Sequence, residues 1–340
     1  MEDFYKVLSS AGNAWDVGYS GRQSFDVTEF WKSDTTGAIT IDSLTIGPDS
    51  QQRREWLAQH ARDGQSLVLR LVCLSVDVGQ RKVDISEEVE KELLDQFGLG
   101  LAHSYFKTFI SGVTALPKTI TDEFERQAFA FCFAPKLASL WSHTRYNGLS
   151  PDEARIVTEG IVFIKKTSKP NKQPGVPKPP SFQKIMSKLP WDPQIYRDPA
   201  APALMLSILL GQEIQQVQTF ILLEIRKIEA RTGHHDFHDR THPAPEELSV
   251  LSAKASGYAV RLASVSRKMA MLGELLAFLR STDQATRDGG SVPGHATEPS
   301  PLQQHVHVLE SRLKMQKLET DFILKRVEVQ LQAVSPASII

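Results

Sequence analysis

The sequence predicts an α+β protein, in which an α/β/α-type N-terminal domain is followed by a bundle or stalk of long helices. Two observations predict this class. The first half of the 340-residue chain alternates strand-like apolar runs with short helical segments. The C-terminal part repeats apolar residues at steps of three and four, which is the period of one helical face. A segment rich in lysine and proline separates the two parts.

Four apolar segments predict the strands of the N-terminal domain. Ala38 to Ile46 alternates apolar with polar residues, which is typical of a half-buried strand. Leu67 to Val76 is nearly all apolar, as expected of a strand covered on both faces. Gln127 to Phe133 and Ile156 to Ile164 are the two further candidates. We place the α/β domain at residues 36–165 because helical segments separate these strands.

Two helices are predicted within this domain. Ser50 is the expected N-cap of a helix from Gln51 to about Arg62, which Asp63-Gly64 would end. Ser86 is the expected N-cap of a second helix, which should end near Phe97-Gly98. The acidic first turn of this second helix complements the positive N-terminal end of the helix dipole.

Two segments flank the α/β domain. Residues 1–35 form an N-terminal segment whose aromatic side chains are expected to pack at a place that the pattern does not indicate. Residues 166–198 are predicted to be a loop, since Lys165 to Pro190 holds seven lysines, six prolines and no acidic residue. The first interpretation is a solvated, extended loop, and the alternative is a patch for acidic lipid headgroups or an acidic partner.

The C-terminal part, residues 199–334, is predicted to form three long helices. Their expected bounds are 199–232, 245–280 and 301–334, and residues 335–340 are a tail. At about 1.5 Å per residue the third helix would be about 50 Å long. A compact domain of this size does not need such a helix, so we expect the other two helices, other copies of the chain, or both to lie along it.

Two apolar stripes run along the third helix. The first comprises Leu302, Val306, Leu309, Leu313, Leu324, Val327, Leu331 and Val334, bridged by the polar Lys317 and Thr320. The second lies beside it and comprises Met315, Leu318, Phe322 and Val329. A face this wide favours a helix bundle or the centre of an oligomer over a two-stranded zipper.

Composition excludes some classes of function. The chain has 39 basic and 40 acidic side chains, and its aromatic residues are not interleaved with basic ones, so we expect no nucleic-acid partner. Cys73 and Cys132 each lie in an apolar run, which predicts small buried hydrophobic residues and a reducing compartment. No signal peptide and no apolar run of membrane-spanning length is visible, so we expect that this chain does not cross a membrane.

Catalytic signatures are absent from the sequence. It contains no Walker A, Gly-x-Gly-x-x-Gly, Gly-x-Ser-x-Gly or His-Glu-x-x-His motif, which predicts a protein that is not an enzyme. His234, His238 and His242 are spaced by four residues, with aspartates nearby, and are the candidate ligands for zinc or a similar ion. Glycine and prolines flank this cluster, so an inter-helix turn without metal is the other interpretation.

Carboxylates could bind a hard cation such as Mg²⁺, which prefers oxygen ligands. The densest acidic stretch comprises Asp77, Asp84, Glu87, Glu88, Glu90 and Glu92. The alternative is that most of these side chains solubilise a helix and its approach. The pattern does not select a set of ligands.

Several segments resemble a known family. They are Leu69-Arg-Leu-Val-Cys-Leu-Ser-Val-Asp77, Asp95-Gln-Phe-Gly98, Ser104-Tyr-Phe106, Ile228-Glu-Ala-Arg-Thr-Gly233, Ala255-Ser-Gly-Tyr258 and the stalk-like run from Leu313 to Arg326. These segments and the order of parts resemble the cytoplasmic half of CorA-type magnesium transporters, and more specifically the divergent CorA-like proteins of fungi. The resemblance covers most of the chain from about Ser66 to Val334.

The resemblance implies a funnel-shaped homo-oligomer, pentameric in the family, whose long helices line a central axis and continue into a membrane pore. Family members sense Mg²⁺ with acidic residues between neighbouring cytoplasmic domains and select hydrated cations at a Gly-Met-Asn loop. This sequence contains no Gly-Met-Asn and no membrane helix. No pore residue and no sensing residue is therefore carried over. Membrane contact would need a segment that this sequence lacks, or would be weak and through the lysine-rich loop.

Three hypotheses follow. The first is a soluble CorA-like domain at the cytoplasmic face of a membrane, which acts in Mg²⁺ transport or its regulation by oligomeric assembly, with Mg²⁺ as regulator or cargo. The second is a cytosolic adaptor with a helical arm and no role for an ion. The third is a metal-dependent enzyme built on the three histidines.

Overall fold

The computed structural model describes residues 17–107, 111–133, 136–147, 155–166, 182–186, 192–232, 243–288 and 300–334. The chain divides into two compact units. The first comprises Met1–Pro170, Phe182–Met205 and Ala277–Gln304, and the second comprises Asn171–Ser181, Leu206–Leu276 and His305–Ile340. The predicted α+β class with a helical C-terminal part is confirmed.

An 11-stranded mixed sheet lies in the first unit, counted over the described residues. Its strands are β1 (Gly18–Tyr19), β2 (Phe25–Ser33), β3 (Ile39–Ile46), β4 (Ala61–Arg62), β5 (Gln65–Asp77), β6 (Lys82–Val83), β7 (Ser111–Ala115), β8 (Thr119–Ile120), β9 (Phe124–Phe133), β10 (Leu137–Tyr146) and β11 (Ile156–Lys165). The helices in the part of the chain that the structure describes are α1 (Ser50–Ala58), α2 (Glu87–Gln96), α3 (Gly100–Phe106), α4 (Phe182–Met186), α5 (Ala201–Thr232), α6 (Pro245–Asp288) and α7 (Pro301–Ala333).

The main strands follow the spatial order β3-β2-β5-β11-β10-β9-β7. β5 and β11 pair in parallel, and the other neighbours in this order pair antiparallel. β5 lies inside the sheet, and its residues from Leu67 to Val72 are all buried, which explains its nearly continuous apolar sequence. All four predicted strands are present, and each matches its expected position within a few residues.

The N-terminal segment contains a strand that the sequence pattern did not reveal. β2 lies between β3 and β5, so the predicted division at residue 35 falls inside the β2–β3 hairpin. Phe25, Val27, Phe30 and Trp31 are buried, as expected for aromatic and branched residues inside a sheet. Glu29 interrupts their apolar pattern and is itself buried, which is why periodicity alone missed this strand.

The first predicted helix differs from the expectation at both ends. Asp49, not Ser50, is the N-cap of α1, and its carboxylate accepts a hydrogen bond of 2.7 Å from the backbone N–H of Gln51. α1 ends at Ala58 rather than near Arg62, because β4 pairs with β5. The second predicted helix, α2, is confirmed with Ser86 as its N-cap.

Both faces of the sheet are covered within the first unit. Helices α1, α2 and α3 contribute Trp56, Leu93 and Phe106 to the apolar cluster on one face. On the other face, the Trp141 indole N–H donates a hydrogen bond of 2.8 Å to the carbonyl oxygen of Pro199. The rings of Phe129 and Phe278 lie 6.1 Å apart on that same face. The unit is therefore layered, with one sheet between two coverings.

In the described part of the chain, the second unit is formed by most of α5, α6 and α7. Its core contains Ile221, Ile225, Ile228, Leu251, Ala255, Tyr258, Leu262, Ile323, Val327 and Val334. The three helices begin and end close to the predicted bounds, except that α6 continues to Asp288 instead of ending near 280. Over the described residues, no helix has the length and apolar character that a membrane span needs.

Gly160 allows β10 and β11 to approach closely, and this contact predicts a measurable effect. A Cβ atom at Gly160 would lie 2.6 Å from the Leu140 carbonyl oxygen and 2.7 Å from the Trp141 Cβ atom. We expect Gly160→Ala to lower the free energy of unfolding in urea by about 1–3 kcal/mol, because the strands must move apart. Gly100→Ala is the control, since open space surrounds Gly100. Equal stability of the two variants would contradict this account of the strand pair.

Candidate interaction surface and buried polar groups

The predicted metal site cannot be placed. His234, His238 and His242 lie outside the described residues, as does most of the lysine- and proline-rich loop. Elsewhere in the described part of the chain, no group of three or more His, Cys, Asp or Glu side chains could hold a metal ion. The histidine site therefore stays a prediction.

The acidic stretch between residues 77 and 92 is distributed among separate partners. The Glu92 carboxylate accepts a hydrogen bond of 2.6 Å from Nε of Arg53. Asp84 forms an ion pair with Arg22 at 3.2 Å. Glu90 accepts a hydrogen bond of 2.7 Å from the Tyr19 hydroxyl. These contacts use the carboxylates within the fold and do not bring them together as a ligand set.

Helix α7 buries one seam with a strict seven-residue repeat. Buried positions recur at alternating steps of four and three, namely Leu302, Val306, Leu309, Leu313, Gln316, Thr320, Ile323, Val327, Gln330 and Val334. The predicted first stripe is corrected at three places, because Lys317 is exposed while Leu324 and Leu331 are only half-buried. Gln316, Ile323 and Gln330 occupy the corresponding buried positions, since a 3.5-residue repeat keeps the seam facing its neighbours.

Polar side chains fix the middle of this seam. Nε2 of Gln316 donates a hydrogen bond of 2.9 Å to the carbonyl oxygen of Gly211 in α5. Nε2 of Gln218 donates to the Gln316 carbonyl oxygen at 2.6 Å and to Oγ1 of Thr320 at 2.7 Å. A sliding movement of α7 along α5 would leave these buried groups unpaired. The hydrogen bonds therefore set the register of the two helices.

The second predicted stripe lies on the surface of α7. Met315, Leu318, Phe322 and Val329 are exposed to 65%, 64%, 52% and 51%. Val308, which the prediction did not include, extends the stripe and is 64% exposed. All five follow a buried seam residue by two positions, which is about 200° around the helix. The stripe, which we call the outer stripe, is therefore opposite the buried seam. Met315, Leu318 and Phe322 follow one another at steps of three and four and form an apolar patch, and Ser311 and Lys325 separate this patch from Val308 and Val329. Such a patch favours an interaction site over scattered single hydrophobic residues.

Charged residues border the outer stripe with alternating sign. Lys314 and Asp321 lie seven residues apart on one border, and Glu319 and Arg326 lie seven residues apart on the other. Arg326 also forms a half-buried ion pair with Glu229 of α5, with a hydrogen bond of 2.7 Å from Nε. This apolar row with charged borders has the pattern by which helices select partners in coiled coils.

A buried ion network lies at the centre of the first unit. Arg70 is fully buried in β5, and its Nε donates to Glu29 of β2 at 2.8 Å. One terminal nitrogen donates to Glu159 of β11 at 3.1 Å and to the Leu57 carbonyl oxygen at 3.2 Å. The other donates to the carbonyl oxygens of Trp56 and Gln59 at 3.1 and 2.6 Å. All five guanidinium donors are thus satisfied.

Two charged residues within predicted strands indicate this network in the sequence, although apolar periodicity alone does not reveal it. Arg70 and Glu159 each lie within a predicted buried strand, where charged residues are rare unless they are paired. Glu29 also accepts hydrogen bonds from the indole N–H groups of Trp56 at 2.8 Å and Trp31 at 3.1 Å. The network has no unfilled position for a substrate, so we interpret it as structural.

A small depression borders the Tyr19–Glu90 pair. Its lining includes Val83, His103 and Phe163. Its volume is about 290 Å³ when the part open to solvent is included. Burial raises the pKa of the Glu90 carboxyl and lowers the pKa of His103 to about 3. The groups are buried and polar, but the enclosed space holds little more than one water molecule and is far smaller than small-molecule sites.

Replacement of Arg70 by lysine tests the network. Lysine keeps the charge but cannot reach both carboxylates and the three carbonyl oxygens that end α1. We expect Arg70→Lys to lower the free energy of unfolding by about 3–5 kcal/mol, measured by urea denaturation, since two buried carboxylates lose their partner. Arg54→Lys on the exposed face of α1 is the control. A loss no greater than in this control would show that the network is dispensable.

The lowered pKa of His103 predicts a specific pH dependence of the free energy of unfolding. Burial lowers its pKa from 6.5 to about 3, so between these values the unfolded chain binds a proton that the folded chain does not. This group therefore makes the free energy of unfolding fall with decreasing pH, by about 1.4 kcal/mol per unit. We expect His103→Gln to flatten the slope between pH 6 and about 4, relative to the exposed His307→Gln. Parallel curves for the two variants would refute the assignment.

Comparison with known proteins assigns no family to this chain. No model of a known protein family matches the sequence, and no curated protein matches it. The CorA-like resemblance therefore stays a hypothesis that rests on the segments quoted above, and the outer stripe of α7 is the candidate functional feature that the geometry itself provides.

Proposed function

We propose that this protein is a CorA-like domain that acts in divalent-cation transport or its regulation by assembling with copies of itself. The outer stripe of α7 is the observation that carries the proposal. The buried seam of α7 packs against helices of its own unit. The apolar row on the opposite face has no such packing within the described residues, and we infer that another molecule covers it. The cation and the cytoplasmic face of a membrane enter from the resemblance alone.

A second copy of the chain is the occupant that the charges favour. If two α7 helices lie in parallel with their outer stripes in contact, each border of one stripe meets the opposite border of the other. Lys314 then faces Glu319 of the partner subunit, and Asp321 faces Arg326 of the partner subunit. Both pairs are of opposite charge. A symmetric ring repeats the same contact at every interface, and five copies would accord with the family that the chain resembles.

Mg²⁺ has a regulatory role in this proposal, or is the transported ion. A cation bridging carboxylates of neighbouring subunits would favour the closed assembly, and removal of the cation would loosen it. The coupling is reciprocal, so assembly must in turn raise the affinity for the cation. No catalytic step is involved, and the protein is not an enzyme in this account.

An adaptor is the second candidate, and the outer stripe also favours it. An amphipathic helix of another protein could cover the same apolar row without any ion. The two functions differ in what they require of the isolated protein. Self-assembly requires the purified chain to form oligomers, whereas an adaptor can be a monomer until its partner is added.

Charge substitution in the outer stripe tests self-assembly. We expect the wild-type protein to be an oligomer by light scattering after gel filtration, and Met315→Glu/Phe322→Glu to be a monomer. The carboxylates would be buried against apolar side chains and against each other. Val260→Glu is the matched control, because Val260 is 72% exposed on α6 and lies outside the stripe. A wild-type protein that is a monomer at high concentration would contradict self-assembly and favour the adaptor.

Mg²⁺ dependence tests the transport part of the proposal separately. We expect millimolar Mg²⁺ to shift the oligomer–monomer equilibrium towards the oligomer, and EDTA to shift it back, in analytical ultracentrifugation at constant ionic strength. Potassium chloride at matched ionic strength controls for screening. An oligomer with the same stability in both conditions would retain self-assembly but remove the ion from the proposal.

A further inference from the structure

Arg155, which directly precedes β11, has two side-chain nitrogen atoms that lack a hydrogen-bond partner in the part of the chain that the structure describes. Its Nε and Nη2 atoms are buried and have no hydrogen-bond partner among the described residues. No other side chain in this part of the chain has two such atoms. Buried side-chain donors are nearly always paired in folded proteins, so two on one side chain need an explanation.

The two nitrogens form one recognition edge. Nε–H and one N–H of Nη2 point in parallel, and this edge is the fork that binds two oxygen atoms of a carboxylate or phosphate. The backbone holds the edge in place, since the N–H of Tyr146 donates a hydrogen bond of 2.8 Å to the Arg155 carbonyl oxygen. The Tyr146 ring lies against the guanidinium, with its centroid 5.3 Å from Cζ. The fork therefore lies at one end of the β10–β11 strand pair.

Positive charge exceeds negative charge around this fork. Arg70, Arg126 and Arg155 all act on the Glu159 carboxylate. Arg70 is already paired with Glu29 as well as with Glu159. Three guanidinium groups thus share two carboxylates. Burial lowers the pKa of Arg155, although the Glu159 carboxylate acts on it in the opposite direction.

Arg126 supplies a second cation beside the fork. Its Nε donates a hydrogen bond of 2.9 Å to Oγ1 of Thr144, and its Cζ lies 4.8 Å from the centroid of the Phe124 ring. Arg126 and Arg155 both act on Glu159, so they lie near the same carboxylate. An anion bound at the Arg155 fork would balance the charge and pair both orphan donors.

We propose that Arg155, with Arg126 beside it, forms a binding site for an oxyanion, held in bidentate fashion by Nε and Nη2 of Arg155. The shared chemistry is a group with two or more anionic oxygens, either a carboxylate or a phosphate. This inference is independent of the outer stripe and of any cation. It assigns to the first unit a small-anion site that explains both the unpaired donors and the charge excess.

Calorimetric titration of the full-length protein tests the proposal, with inorganic phosphate and acetate as separate probes in a chloride buffer of constant ionic strength. We expect at least one probe to bind with a stoichiometry of one, and Arg155→Lys to weaken its binding about tenfold, since lysine keeps the charge but lacks the fork. Arg145→Lys, on the exposed face of β10, is the control and should bind as the wild type does.

The outcomes separate clearly. Binding of phosphate alone identifies a phosphate-bearing ligand, and binding of acetate alone identifies a carboxylate. No binding of either probe by the wild type overturns the site, as does an affinity in Arg155→Lys equal to that of the control. If Arg155→Lys does not fold, Arg126→Lys takes its place, and an unchanged affinity there would remove Arg126 from the site.

Discussion

The Arg70 guanidinium joins several elements of the first unit. It lies in β5, bonds to Glu29 in β2 and Glu159 in β11, and caps the C-terminal carbonyl oxygens of α1. One residue therefore determines how three adjacent strands and one helix meet. The cost of burying its charge is offset only because every donor is used, so the geometry of these elements is tightly constrained.

Helix α7 is constrained in a different way. Its seam positions from Val306 onward belong to the second unit, and the polar contacts of Gln316 and Thr320 hold it in one register there. The opposite face is then fixed as well, because a helix cannot turn its outer stripe inward without exposing the seam. Apolar side chains on the outer stripe are consequently available to a partner at all times. The function we propose depends on this fixed orientation.

Periodic segments were predictable, and residues whose environment is set by distant contacts were not. The long helices can be predicted from the spacing of their apolar residues, and β5 from its unbroken apolar sequence. In both cases the local sequence alone indicates which residues are buried. β2 was missed because Glu29 looks like a surface residue until Arg70 is placed beside it. The outer stripe could be found in the sequence, but its exposure depends on which face α5 and α6 cover. The Arg155 fork has no sequence signal, because an unpaired donor is visible only in three dimensions.

The first unit is assembled from three separate parts of the chain, and its sheet is covered by residues far apart in sequence. Phe129 in β9 meets Phe278 at the end of α6, about 150 positions later. During synthesis, the part of the sheet around Phe129 therefore stays uncovered and apolar until the end of α6 leaves the ribosome. The nascent chain passes through a stage in which aromatic strands are exposed, and this is the stage at which a chaperone would be needed.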